Sequence, residues 1–450
     1  MNLFVGIIIV LVSVFSLITN RPKINFFIII FTFMNQNFAF DFIGNVKVFH
    51  LISFLYLPIT LRYLTSSKNQ HNLKSLKPFL WLVILLFFVT FYFSVISPWQ
   101  NPYDYQRVWS QRALGRAIVS FTRLILELNL IILLIYWINN KKISSITLVR
   151  MISFSLIITV LIAIVDFILA KQLSSLLFPS NFRFIEGRVT GFNGEPRGFG
   201  RICSFSVMFL VSAANSFKYK IKTVAIISGA VGIVLSLSAS TIIITMVWLF
   251  TFLLIHRNFK YIVTTLFFLT VSTVVFLETP FFGEQTKYKI LLVITGENEL
   301  SDSSESIYIG EPNIFKRFEV FDRAALNFLY KNPEYTFFGV GLNLISIPGS
   351  DYLNTYYSSI YGDRIDSVPH AMLVNIISSG GITALIILFG LYFSIRKRLL
   401  YKTLREFHLL NFITSFLVYT PFFYLFIGLT LGLNSKFNID KDEKTQARIS

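Results

Sequence analysis

The chain has 450 residues, 54% of them hydrophobic and only 14% charged, with 50 Phe. A water-soluble fold of that length cannot hide so much apolar surface, so lipid is the solvent for much of it. The formal charge of +17 would suit a nucleic-acid partner, but the basic residues lie in short loops between apolar runs, where they mark topology and face anionic lipid, so no nucleic-acid partner is implied.

Apolar runs near the length of a spanning helix recur along the chain and are continuous rather than alternating, which excludes strands. The predicted fold class is all-α, a polytopic transmembrane helix bundle of about 11–13 spans with a long extracytoplasmic loop subdomain. Residues 1–279 carry most spans, beginning with compact runs at 3–19, 25–41 and 46–64. The first has no basic n-region, and Asn20-Arg21-Pro22-Lys23 after it offers no small-residue cleavage site, so it reads as an uncleaved span. Lys68, Lys74 and Lys77 then form the first of five basic loops. The others hold Lys141, Lys142 and Arg150; Lys218, Lys220 and Lys222; Arg257 and Lys260; and Arg396, Lys397, Arg398, Lys402 and Arg405, with Glu406 the one acid among them. The positive-inside bias assigns all five to the cytoplasm.

The connections between these loops are thereby external. After the span at 78–98, the first outer loop runs over residues 99–116. The next span, 118–137, carries Arg123 and Glu127 one helical turn apart, and the span at 151–170 carries Asp166. Charges at membrane depth are unfavourable, so Arg123 and Glu127 are expected to pair, either holding the bundle together or lining a cavity.

The second outer loop, 171–201, places Arg183, Arg188, Arg197 and Arg201 with Glu186, Glu195 and five glycines, Gly191 and Gly194 among them, within 19 residues. Glycines let a backbone approach a ligand closely, and arginine's planar fork suits phosphate oxygens. An anionic, phosphate-bearing ligand is the direct inference; anchoring to lipid headgroups is the alternative, and arginine outside runs against the bias seen elsewhere. Cys203 is the single cysteine, so no intrachain disulfide braces these loops.

Two apolar stretches then meet at 236–241 within residues 223–255, a length that predicts a tilted or half-inserted hairpin. Another span occupies 261–279. The third outer loop, 280–368, holds 12 of the chain's 23 acids. Its Ser/Asp/Glu-rich part at 296–310 is expected to be mobile, whereas residues 313–332 have the apolar spacing of an amphipathic helix lying on the membrane surface. That helix carries Lys316, Arg317 and Arg323, the two arginines on different faces, and leads into Asn332-Pro-Glu-Tyr-Thr-Phe-Phe-Gly-Val-Gly341. Gly339 and Gly341 are read as site glycines or as a plain turn. Among the five histidines, His71, His256 and His408 fall in basic loops and His50 near the third span; His370 stands at the outer mouth of a late span, as a general base or a structural residue. Residues 369–433 complete the spans, with a short hairpin at 409–433 hinged at Pro421, and 434–450 form a polar tail.

Arg188-Val-Thr-Gly191-Phe-Asn-Gly-Glu195-Pro196 before a span, the stretch from Arg323 to Gly341 with Asn332-Pro333 and Phe338-Gly-Val-Gly341, and His370 opening a span that carries Gly381 together resemble the O-antigen polymerase and ligase family. The resemblance covers roughly residues 78–395. It implies a multi-pass glycosyltransferase of the GT-C type in the inner (plasma) membrane, using neither cofactor nor metal. Such an enzyme transfers glycan from an undecaprenyl-pyrophosphate carrier to a sugar hydroxyl on the periplasmic or outer face. Arg183, Arg188, Arg197, Arg201, Arg317 and Arg323 would grip the pyrophosphate from two segments converging on one pocket, and Glu195 or His370 would take the acceptor's proton. Ala371 and Ser379 stand where ligases and many polymerases carry Asn and Glu, which speaks against catalysis by His370 and, with the Gly194-Glu195-Pro196 element, favours a repeat-unit polymerase acting on membrane lipid-linked oligosaccharide beside a flippase and a chain-length regulator. The alternatives are an O-antigen ligase acting on the lipid A core and, in another class, a lipid-linked oligosaccharide flippase.

Overall fold

A computed structural model describes residues 3–35, 37–40, 46–65, 73–96, 113–140, 142–178, 189–193, 196–212, 220–236, 238–256, 320–345, 371–417 and 423–434. The fold is an all-α polytopic bundle, with one antiparallel ribbon pairing β1 (Ala39–Phe40) and β2 (Val46–Lys47). In chain order come α1 (Leu3–Ile18), α2 (Pro22–Met34), α3 (Val48–Leu55), α4 (Leu57–Thr65), α5 (Lys77–Ile96), α6 (Ala113–Asn139), α7 (Ser145–Ile168) and α8 (Gln172–Leu177). These are followed by α9 (Pro196–Val211), α10 (Lys220–Ser236), α11 (Ala239–His256), α12 (Val320–Lys331), α13 (Met372–Arg398), α14 (Lys402–Leu417) and α15 (Phe423–Asn434).

Among the described residues, four helices are long and apolar enough to cross a bilayer: Lys74–Ile96, Ala113–Asn139, Ser145–Ile168 and Met372–Arg398. The bent pair α3 and α4 makes a fifth if read as one span. Their outward faces are apolar, as a lipid solvent requires: Phe88 is 66% exposed, Ile168 73% and Ile386 65%. The expected span at 261–279, the first part of the amphipathic helix and the acidic stretch at 296–310 lie outside the described residues.

Two expectations change. The run at 46–64 is not one straight helix; it bends by 52° at Tyr56 between α3 and α4. The second predicted span stops at Met34 and gives way to the ribbon. The stretch at 223–255 divides, as its length requires, into α10 of 17 residues and α11 of 18.

Small residues set the helix spacing, since in lipid close backbone approach replaces hydrophobic drive. A Cβ at Gly229 would lie 2.5 Å from Val207 and one at Gly232 would lie 2.6 Å from Cys203 Sγ, so α10 beds directly on α9. Gly428 and Gly432 likewise bring α15 against Leu134 and Ile138 of α6. Polar side chains fasten the rest. Asn129 of α6 donates to Ser53 O at 2.6 Å and accepts from Thr60 Oγ1, spanning the bend between α3 and α4. Asp166 ends α7 by accepting from Ser174 N (2.8 Å) and Ser174 Oγ (2.6 Å), which caps α8. Beside it, burial pushes the Lys171 ammonium below the usual lysine range while Asp166 pulls it back up.

Candidate functional site

The late span α13 is broken. Gly381 sits at φ 67°, ψ −167°, a conformation a side chain would not tolerate beside Phe337, whose carbonyl carbon would lie 2.2 Å from an added Cβ. A break inside a membrane span strands backbone groups that water cannot reach. Here the segment after α12 satisfies them. Phe337 O accepts from Thr383 N (3.2 Å) and Thr383 Oγ1 (2.8 Å), while Val340 N and Gly341 N donate to Ser378 O (2.8 Å) and Ser379 O (2.9 Å). The segment is thus stitched into the break like a short strand.

Both glycines of that segment are there for contact. Gly339 has φ 71° and would bring a Cβ to 2.5 Å from the Ser379 carbonyl carbon; Gly341 has φ 100° and would bring one to 2.7 Å from Thr90 Cα on α5. Both glycines hold this segment by backbone contact, and neither lines the neighbouring cavity. Leu342 N then donates to Thr90 Oγ1 (2.8 Å), and Asn343 Nδ2 to Ser120 Oγ on α6 (3.0 Å).

Leu342 and Asn343 form part of the wall of a cavity of about 260 Å³ between α3, α5, α6, α13 and α15. Its polar lining is unusual for a membrane interior: Lys47, His50, Arg123 and Glu127, with Asn343, Asn375 and Ser379 around them. Glu127 Oε1 lies 3.6 Å from His50 Nε2, a contact from α6 to α3 that is an ion pair when the imidazole is protonated. Among the described residues neither ring nitrogen of His50 has a hydrogen-bond partner, although its side chain is almost wholly buried. An uncompensated charge at the bilayer centre costs roughly 2.5–3.5 kcal/mol on insertion scales. The fold gathers Lys47, Arg123 and Glu127 around one cavity, which makes it the candidate site.

Compared with known proteins, the chain matches no family model and no curated sequence.

The predicted site residues divide three ways. Arg183, Arg188, Gly194, Glu195, Arg317 and His370 lie outside the described residues. Arg197 and Arg201, expected in a loop, are on the first turns of α9, four residues apart and so on one face. Gly191 opens a 3-10 turn at φ 51°, pressed against Ala163 of α7, where an added Cβ would lie 2.8 Å from the Ala163 Cβ. Arg323 is on α12, whose neighbouring Asp322 accepts from Ala371 N (3.1 Å) at the start of α13 and whose Phe328 and Leu329 pack with Val340 and Val374. The structure thus brings Arg323, Gly339, Gly341 and the mouth of α13 into one unit. The cavity lining includes none of Arg197, Arg201 and Arg323, so the expected convergence of arginines on one pocket is not met by the described ones.

Lys47, His50 and Asn343 were not picked out as site residues. The available signal was weak: a basic residue and a histidine opening an apolar run, with nothing in the spacing to tie them to Glu127, 77 positions later. His408, expected in a basic loop, is buried on α14, stacked on Tyr392 at 5.1 Å between ring centroids.

Proposed function

We propose that the protein is a repeat-unit polysaccharide polymerase of the O-antigen or capsule type, transferring glycan from an undecaprenyl-pyrophosphate carrier to a hydroxyl of another lipid-linked repeat unit. The observation that carries the reading is the charged cavity with Asn343 in its wall. Glycosyl transfer from a diphosphate needs cations where the leaving group gathers charge and a group to take the acceptor's proton. The acceptor oxygen attacks the anomeric carbon, the carbon–oxygen bond to the diphosphate breaks, and the diphosphate departs with the electron pair. Arg123 and Lys47 offset that charge, and Glu127, held beside His50, receives the proton. The sequence resemblance adds its support, because two of its elements, Phe338–Gly341 and the span carrying Gly381, are hydrogen-bonded to each other.

The test is the surface glycan ladder of a strain carrying each variant. Arg123→Gln, Arg188→Ala and Arg323→Ala are each expected to leave the protein in the membrane and to collapse the ladder to single repeat units. Long glycan in all three variants overturns the reading.

A second reading, a lipid-linked oligosaccharide transporter, is favoured by one observation: the cavity is flanked by two interrupted helices, the α3–α4 bend and the Gly381 break, as in membrane transport sites. Purified protein in vesicles separates the two. A polymerase lengthens lipid-linked repeat units on one face; a transporter moves them across without joining them.

A further inference from the structure

A second concavity, on the lipid-facing side of the same pair of helices, is independent of the polymerase reading. α5 and α13 run antiparallel with a groove between them, lined on α5 by Trp81, Ile84 and Phe88 and on α13 by Ile387 and Gly390, and ending at Lys74 and Lys77. Lys77, Trp81, Ile84 and Phe88 recur at helical spacing and form one stripe. From Lys77 to Phe88 the helix rises about 16 Å, close to half of the roughly 30 Å hydrocarbon core. The groove therefore has the length of one leaflet, with two exposed ammonium groups at its headgroup end.

Gly390 is the second observation. A glycine inside a helix is about 1 kcal/mol worse than alanine, and at Gly229, Gly232, Gly428 and Gly432 close packing explains it. Here it does not: a Cβ at Gly390 would meet nothing nearer than Pro78 Cβ at 4.0 Å. The missing side chain leaves room for something other than protein. In a bilayer that occupant is hydrocarbon, and the two lysines select its charge.

We propose that the groove between α5 and α13 is a binding site for an anionic phospholipid, its phosphate held between Lys74 and Lys77 and one acyl chain lying along Trp81, Ile84, Phe88 and Gly390. The lipid braces the outer side of two helices whose inner sides wall the charged cavity.

The experiment is native mass spectrometry of the full chain, purified from nanodiscs holding equal amounts of phosphatidylglycerol and phosphatidylethanolamine. The wild type is expected to retain phosphatidylglycerol at least five-fold over phosphatidylethanolamine. Lys74→Gln with Lys77→Gln is expected to bring the ratio near one, whereas Lys23→Gln, an exposed lysine elsewhere, leaves it unchanged. Gly390→Leu, whose Cβ would meet only Pro78 Cβ at 4.0 Å, is expected to remove bound lipid of both classes while eluting as the wild type does. Equal retention by the wild type, enrichment that survives loss of both lysines, or unchanged lipid in Gly390→Leu overturns the proposal. So does a dimer that Gly390→Leu dissociates, which would assign the groove to a second copy of the chain.

Discussion

Gly339 and Gly341 show how much one missing side chain can decide. Each holds a positive φ and each touches backbone, at Ser379 and at Thr90. Gly339→Ala must both strain its own backbone and push α13 away, so it is expected to destabilise the fold by about 1–3 kcal/mol, read as a lower melting temperature in detergent; an unchanged melting temperature would show that the segment is not bound as described. Asn129 is the polar counterpart. Replacing it with leucine removes its bonds to Ser53 and Thr60 at the α3–α4 bend. The expected loss is roughly 1 kcal/mol, in the range measured for interhelical hydrogen bonds in membranes, and a variant as stable as the wild type would mean the bend is held by packing alone. At the same scale, the sequence exposed Arg123 and Glu127 because a charge inside an apolar run is conspicuous. It did not expose His50 beside Glu127, because a contact between α3 and α6 is made by the fold rather than by spacing.

At the scale of elements, the broken span and the segment that repairs it are one device. The apolar run over 371–395 predicts one spanning helix, and the structure gives Met372–Arg398 with a break at Gly381. The break survives because Phe337 to Gly341 takes over its stranded donors and acceptors. Thr383→Val deletes only the hydroxyl bond to Phe337 and is expected to cost about 1 kcal/mol. Gly381→Ala, with the Phe337 carbonyl in the way, is expected to release the segment and make residues 337–341 cleavable by a protease that spares the wild type. Equal protease resistance in the two proteins would sink this account. The α12 helix was legible as amphipathic, and its burying face is real: Phe328 and Leu329 are covered. That face meets the start of α13 and the segment at Val340, a protein surface in place of the membrane surface its pattern suggested.

For the whole molecule the outstanding quantity is orientation. Basic residues cluster at one end of the long helices, with Lys74 and Lys77 beginning α5 and Arg396, Lys397 and Arg398 ending α13. Reporter fusions within residues 66–72, 141–144 and 213–219 are expected to report the cytoplasm, and fusions within 296–310 the opposite compartment, by the positive-inside bias. A cytoplasmic signal from 296–310 would invert the bundle and place the Asn343 end of the cavity on the wrong side for lipid-linked polymerisation.

The sequence by itself determined that this is a multi-pass helical membrane protein, because the length and continuity of apolar runs are local properties that a bilayer reads directly. It also located the division at 223–255 but neither the α3–α4 bend nor the Gly381 break, and it marked Arg123 and Glu127 as residues placed at a price in stability. The tertiary structure alone decided where those charges meet. Lys47 and His50, Glu127, and Asn343 come from three distant stretches of chain, and only the packing of α3, α6 and α13 around a break held open by Gly381 brings them to one cavity.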